Sequence, residues 1–423
     1  MASNQGAPPP DEQKLRLWKV GRALTLAFVA AVLVAGGIFY GLVVLLDFKE
    51  MDTTAKLDAK TLFDLVKLSF GVVAGAGALV ALVVAYRRQR VDEVGAHREA
   101  TRLHTERFSQ AVDKLGSDSP AVRLGGVHAL AGLADDAPTQ DLRQTCIDVL
   151  CAYLQLPFTP DPGNDPAHQE EHHRYLALRA VRHTILRLIG DHYRRPKGTH
   201  RSWQGCDLDL TGVVIDGNMN FTGAVFSSGT VNFGNAKFSS GLVSFLHAEF
   251  SGSEVSFSGA VLSGGIVSFN GTEFSGGIVS FLNAELSGSE VYFGGAEFSG
   301  GAVSFFNTEF SGGEVSFLGV KVAGGEVSFF NAEFSGGEVS FLNAVFSRGR
   351  MSFTDAKFSG SEASFLNAVF SSSVVTFYGT VFSSGTVNFD PASGPAPDGL
   401  LAAVSTPGSA TVVLPPAWVS PVT

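Results

Sequence analysis

The chain has 423 residues, room for two or three domains, and its 45% apolar and 17% charged content excludes a disordered protein and an ordinary, fully solvated surface. Its net charge of −10 is unevenly spread: 16 acidic residues stand against five basic ones between Trp203 and Phe389, while the upstream chain carries 25 positive and 22 negative charges. An acidic C-terminal half makes nucleic acid an unexpected partner for that region.

Residues 1–22 form a basic segment ahead of the first of two apolar runs. Ala23 to Leu46 gives 24 uncharged residues and Leu68 to Tyr86 gives 19, each long enough to cross a bilayer as a helix. The first run is too long for a signal-peptide core. A two-helix transmembrane hairpin is expected, with spans 23–46 and 68–86 joined through a short extracytoplasmic stretch, 47–67. Lys14, Arg16, Lys19 and Arg22 precede the first span, and Arg87, Arg88 and Arg90 follow the second. Positive flanks of this kind place both termini in the cytoplasm of a multi-pass inner (plasma) membrane protein. Gly37 and Gly41, and Gly71 and Gly75, form GxxxG pairs that suit close packing within the hairpin or between copies of the chain, and such pairs also arise by chance in Ala- and Gly-rich helices. No charge sits mid-span, so nothing supports a transport pathway.

The cytoplasmic connector, 87–200, reads as a small helical bundle. A charged helix leaves the membrane from Arg90 to Ser117. Ser119 and Pro120 then read as N-cap and first-turn proline of a second helix through Val122, Leu124, Val127, Leu130 and Leu133. Asp141 to Leu156 gives a third helix, and a fourth follows a Pro-rich loop from about Gln169 to Tyr193. The segment from Ser117 to Asp136 resembles one unit of a HEAT-type helical repeat. His168, His172 and His173 invite a metal reading, but His168-Gln-Glu-Glu-His172 lacks the Glu directly after the first His that the zinc-protease motif requires, so the cluster reads as a solvated helix face. His183 and His192 have no matching partners in the sequence. Cys146, Cys151 and Cys206 fit neither a disulfide framework nor a four-ligand zinc site, and read as reduced, buried thiols.

From 203 to 389 the chain is periodic. An aromatic residue recurs at alternating steps of five and seven from Phe221 to Phe389, a period of 12, and only Leu262, Leu286 and Val322 break the run. Such regularity describes a solenoid. In Gly336-Gly337-Glu338-Val339-Ser340-Phe341, the two-residue alternation of a strand turns Val339 and Phe341 inward and Glu338 and Ser340 outward. The five-residue half repeats this with Ala in place of Val, as at Ala248, Ala284, Ala296, Ala332, Ala344 and Ala368. Phe245, Phe257, Phe269, Phe281, Phe293, Phe305, Phe317, Phe329, Phe341 and Phe353 are the expected structural ladder, Phe above Phe in one continuous stack.

A small residue followed two positions later by Phe, as in Asn331-Ala332-Glu333-Phe334-Ser335, resembles the pentapeptide-repeat family over roughly 205–389. That resemblance implies an all-β, right-handed, four-sided β-helix. Two departures stand out: the residue before the aromatic is Glu, Val, Lys or Thr instead of Asp or Asn, and alternate intervals are two residues longer, around Gly-Gly or Ser-Gly. The extra pair is expected to bulge at alternate corners. Four faces need 24 residues per turn and give a rod roughly 34 Å long; a 12-residue turn would double that length, and the room that stacked Phe require favours the wider form. Trp203 to Met219 reads as an irregular first turn against the helical bundle. The Pro-rich segment 390–423 is expected to form a cap or tail, with Ala410 to Leu414 as a final edge.

No catalytic constellation emerges, because the outward serines lack a base, and no cofactor or metal site is expected. The periodic acids Glu254, Glu290, Glu314, Glu326 and Glu338 are the candidate interaction face, lining one edge as a carboxylate ladder. Together these features predict a non-enzymatic, membrane-anchored scaffold that presents an acidic rod to a cytoplasmic protein, with the lipid bilayer as its other partner and homo-oligomerisation open. The family resemblance implies an alternative: an acidic mimic of duplex DNA that occupies a topoisomerase, gyrase. Bilayer anchoring and the Pro-rich C-terminus argue against it.

Overall fold

A computed structural model of the chain describes residues 29–30, 32–34, 36–37, 40, 59–158, 161–163, 165–371, 374–406 and 408–419. They divide into two compact units, Met1–Ala100 and Thr101–Thr423.

Helix α1 spans Ala59–Leu115 and supplies most of the described part of the first unit. The run Leu68 to Tyr86 lies within it, and Leu68, Leu79, Leu82 and Tyr86 are between 57% and 66% exposed. Ser69, Phe70 and Val73 are outside the described side chains, and among the described residues no helix is long and apolar enough to cross a membrane. The expected hairpin is therefore not found among the described residues. Most of its first span, 23–46, and the adjoining residues 47–58 lie outside the described residues.

In the second unit, α2 (Pro120–Asp135), α3 (Gln140–Gln155) and α4 (Gln169–Tyr193) close around Val127, Leu130, Ile147, Leu150, Ile185 and Ile189, all fully buried. Thr139 caps α3 by accepting from the Leu142 amide. Ser119 stands at the N-cap of α2 as expected, but its side chain bonds no helix amide, so Pro120 alone starts that helix. Cys146, Cys151 and Cys206 are buried and unbridged. Burial pushes the Cys146 thiol up to about 11 and the Cys151 thiol up to about 12, which leaves both protonated and unreactive.

The remainder of the unit is a parallel β-solenoid. Face one begins at Leu208–Asp209, face two at Val214–Ile215, face three at Met219–Asn220 and face four at Val225–Phe226. Each face then returns once per turn, at a step of 24 in the sequence: Ile266 pairs with Glu290 on face three, and Glu285 pairs with Glu309 on face two. The first turn is one residue shorter, pairing Leu208 with Val231. The four-sided form is thus the one observed, with two repeats in each turn.

The two kinds of interval make two kinds of corner. In the five-residue interval the Ala284 amide donates to the Phe281 carbonyl at 3.0 Å, with Asn283 between them at φ +55°, a type II turn. The equivalent position recurs in every half-turn from Gly223 to Gly379, and it is Gly, Asn, Asp or His with positive φ each time. In some of the seven-residue intervals one strand bends round the corner, and in the others two short strands meet there. Glu249–Ser256 and Glu273–Ser280 are bent strands, and their register shifts at Gly276, the bulge expected of the inserted pair.

Inside, Val339 and Phe341 are 1% exposed, and Ala332 and Ala344 are fully buried. Thr272, Thr308 and Thr380 take the Ala position, and each hydroxyl donates to a carbonyl one turn back, Phe245 at 2.8 Å, Phe281 at 2.7 Å and Phe353 at 2.8 Å. The aromatic residues do not form one stack. Phe245, Phe269, Phe293, Phe317 and Phe341 make one column and Phe257, Phe281, Phe305, Phe329 and Phe353 another, with rings 4.7–4.9 Å apart within each and meeting edge to face between them. Two further columns come from the five-residue halves, such as Phe250, Phe274 and Phe298. A turn that holds two repeats must set the rings of one repeat across the interior from those of the next, which explains the correction.

Both ends are covered. Gly190 of α4 lies so close to Asn220 that a Cβ would meet its backbone, and the Tyr193 ring sits 5.6 Å from Phe221 and from Phe226, closing the column at its N-terminal end. At the other end the strand Thr411–Val413 pairs with face three, α5 (Leu400–Val404) buries Leu400, and α6 (Pro416–Val419) places Trp418 5.9 Å from Phe389. Over its described residues the Pro-rich segment is a cap, with the final edge where Ala410 to Leu414 predicted it. Covered strand edges prevent end-to-end pairing.

Candidate interaction surface

Outward side chains one turn apart are brought about 4.8 Å from each other by strand pairing. On face three the register reads Ile266, Glu290, Glu314, Glu338, Glu362 and Thr386. Four consecutive carboxylates therefore stand in one column with no base among them, a repulsive arrangement for a parallel sheet. The Tyr292 hydroxyl donates to Glu290 Oε2 at 2.7 Å and reaches Glu314 Oε2 at 3.5 Å, tying the first two together. The bond to Glu290 pushes the Tyr292 hydroxyl well above the usual phenol range, with burial adding to it.

The other faces differ. Face four runs Glu249, Glu273, Glu297 and then Lys321; face two runs Glu285, Glu309, Glu333 and then Lys357; face one runs Glu254, Ile278, Ala302, Glu326 and then Arg350. Each of these columns meets a base in the following turn.

This arrangement corrects the expected single edge. Glu290, Glu314 and Glu338 share face three, whereas Glu254 and Glu326 lie on face one, across the rod. Selecting acids by their place before Val ignored which half-turn each occupies. Glu362, which completes the face-three column, was missed, although a step of 24 from Glu338 locates it.

A second surface feature follows from the type II turns. Their first central residues include Phe306 and Phe330, both 36% exposed, with rings stacked at 5.4 Å. Beside them Asn307 Nδ2 donates to Asn283 Oδ1 at 3.2 Å, and Asn331 Nδ2 donates to Asn307 Oδ1 at 2.6 Å. The column of Asn, Gly and Asp that supplies these turns is visible in the sequence at the second position after each Val-face Phe.

Where helices meet solenoid, polar links replace periodicity. Arg179 Nε donates to Asp216 Oδ2 at 2.8 Å, and His183 Nε2 lies 3.0 Å from Asp216 Oδ1. Burial alone would raise the Asp216 carboxyl, but the bonds from His183 and Arg179 outweigh it and hold the group at about 2. His192 stacks on Trp203 at 4.1 Å, its Nδ1 2.6 Å from the Leu188 carbonyl and its Nε2 3.3 Å from Asp135 Oδ1. The two histidines that looked partnerless in the sequence are thus tied to aspartates distant along the chain. His172 pairs with Asp161 at 2.7 Å. Among the described residues no group of three His, Cys, Asp or Glu side chains is placed to hold a metal ion.

No family model matches the sequence, and neither a curated protein nor a solved structure matches it.

Proposed function

We propose that the protein is a non-enzymatic, membrane-anchored scaffold whose acidic solenoid docks a basic surface of a cytoplasmic protein through face three. The observation that carries this reading is the unbroken column of Glu290, Glu314, Glu338 and Glu362. Four like charges in register destabilise the free rod, and a partner's Lys and Arg residues relieve that repulsion. A rigid, regular face suits recognition by an extended partner. The anchoring part of this reading rests on the sequence alone, on the apolar run Leu68 to Tyr86 followed by Arg87, Arg88 and Arg90.

The pentapeptide-repeat resemblance supports the fold of this scaffold more than it supports gyrase as a target. Lys321, Arg350 and Lys357 interrupt three of the four acidic columns, which suits a one-sided protein contact better than imitation of a duplex charged all round.

The test is proximity labelling in the native cell with full-length protein, comparing a Glu290→Lys/Glu314→Lys/Glu338→Lys variant with a Glu254→Lys/Glu326→Lys variant. The first should lose its principal labelled protein and the second should keep it. An unchanged set of labelled proteins in the first variant overturns the reading.

A further inference from the structure

At the bulged corner between faces four and one lies a groove of about 590 Å3, floored by glycines that include Gly301 and Gly325 and bordered by Glu326, Arg348, Arg350 and Val374. In the turns before Arg348, close packing leaves room only for glycine there. A Cβ at Gly276, Gly300 or Gly324 would come within 2.5 Å of the carbonyl oxygen of Ser251, Ser275 or Ser299 in the previous turn. Arg348 stands at the equivalent position, 24 residues after Gly324 and in register with Ala323, so it places a long side chain where the three preceding turns carry glycine. Arg348 and Arg350 are the only arginines between Trp203 and Phe389, and both are exposed. Among the described residues no carboxylate lies within ion-pairing distance of either, and this includes Glu326, the register partner of Arg350. Two unpaired guanidinium groups at one corner of a rod with 16 acidic residues against five basic ones are a local inversion of charge.

We propose that this groove binds an extended acidic peptide segment of a partner protein, its carboxylates taken by Arg348 and Arg350. Guanidinium groups grip carboxylates with paired, charge-assisted hydrogen bonds. The glycine floor presents no side chains, so a peptide backbone can lie close against it, and Val374, 51% exposed, offers an apolar contact at its end. This site is independent of the face-three column: it recognises the opposite charge, at a different corner.

The experiment is fluorescence anisotropy at low salt with full-length protein and a labelled hexaglutamate peptide, with hexaglutamine as control. Wild type should bind the glutamate peptide and not the glutamine peptide. An Arg348→Gly/Arg350→Ala variant, which restores the glycine of the neighbouring turns and so keeps the fold, should weaken binding at least about tenfold. Glu326→Gln should tighten it. Equal affinity of wild type and the double variant, or equal binding of the two peptides, overturns the proposal.

Discussion

The solenoid and the helices that close its N-terminal end are stabilised in different ways. In the solenoid the core ring contacts are repeated by translation: Phe305 stacks on Phe329 as Phe329 stacks on Phe353, at 4.7 and 4.9 Å. Loss of one ring removes contacts with the turns before and after it and leaves distant turns intact. In the helical layer no contact is repeated. Asp216 holds Arg179 and His183, and Asp135 accepts from the Trp203 indole at 3.1 Å, each joining segments remote in sequence. Repetition makes the rod tolerant outside and intolerant inside, whereas the helical junction depends on single polar links.

Substitutions at four positions sharpen that contrast. The largest effect is expected from Phe329→Asp, which buries an unpaired carboxyl in the aromatic column. It should cost more than about 4 kcal/mol and appear as loss of protease protection across the middle turns. Asp216→Asn should cost about 1–3 kcal/mol at neutral pH, measured by chemical denaturation. Because the Asp216 carboxyl is held down at about 2, its contribution is complete above the ordinary carboxylate range and is lost as pH falls through about 2. Variant and wild type should therefore converge at that acid limit, and a difference unaffected by acid would show that the link is not ionic. Asn307→Ala at a left-handed turn should cost about 1–2 kcal/mol, while Asn307→Gly should be close to neutral in the same thermal melt. Glu326→Ala, an outward position, should shift stability by under about 0.5 kcal/mol.

The inward positions were legible because a strand alternates every two residues and the aromatic period is unbroken over most of the run. Val339, Phe341 and Ala344 are buried where that alternation puts them. Turn length was less legible, since a turn of one repeat and a turn of two both stack Phe on Phe. Only the room needed inside favoured the larger turn, and choosing it separates Phe317 from Phe329 into facing columns. The same ambiguity merged Glu326 with Glu314 and Glu338, which occupy opposite faces. The polar junction was not legible at all. Asp216 and His183 are 33 residues apart, and nothing local to either shows that folding brings them together.

The central claim is the four-sided turn that sets every column, inside and out. Spin labels at Glu314→Cys and Glu338→Cys in the full-length protein test it most directly, with Glu314→Cys and Glu326→Cys as the companion pair. Strands one turn apart lie about 4.8 Å from each other, so the first pair should show strong dipolar broadening and the second little. Strong broadening in the second pair and none in the first would contradict the account.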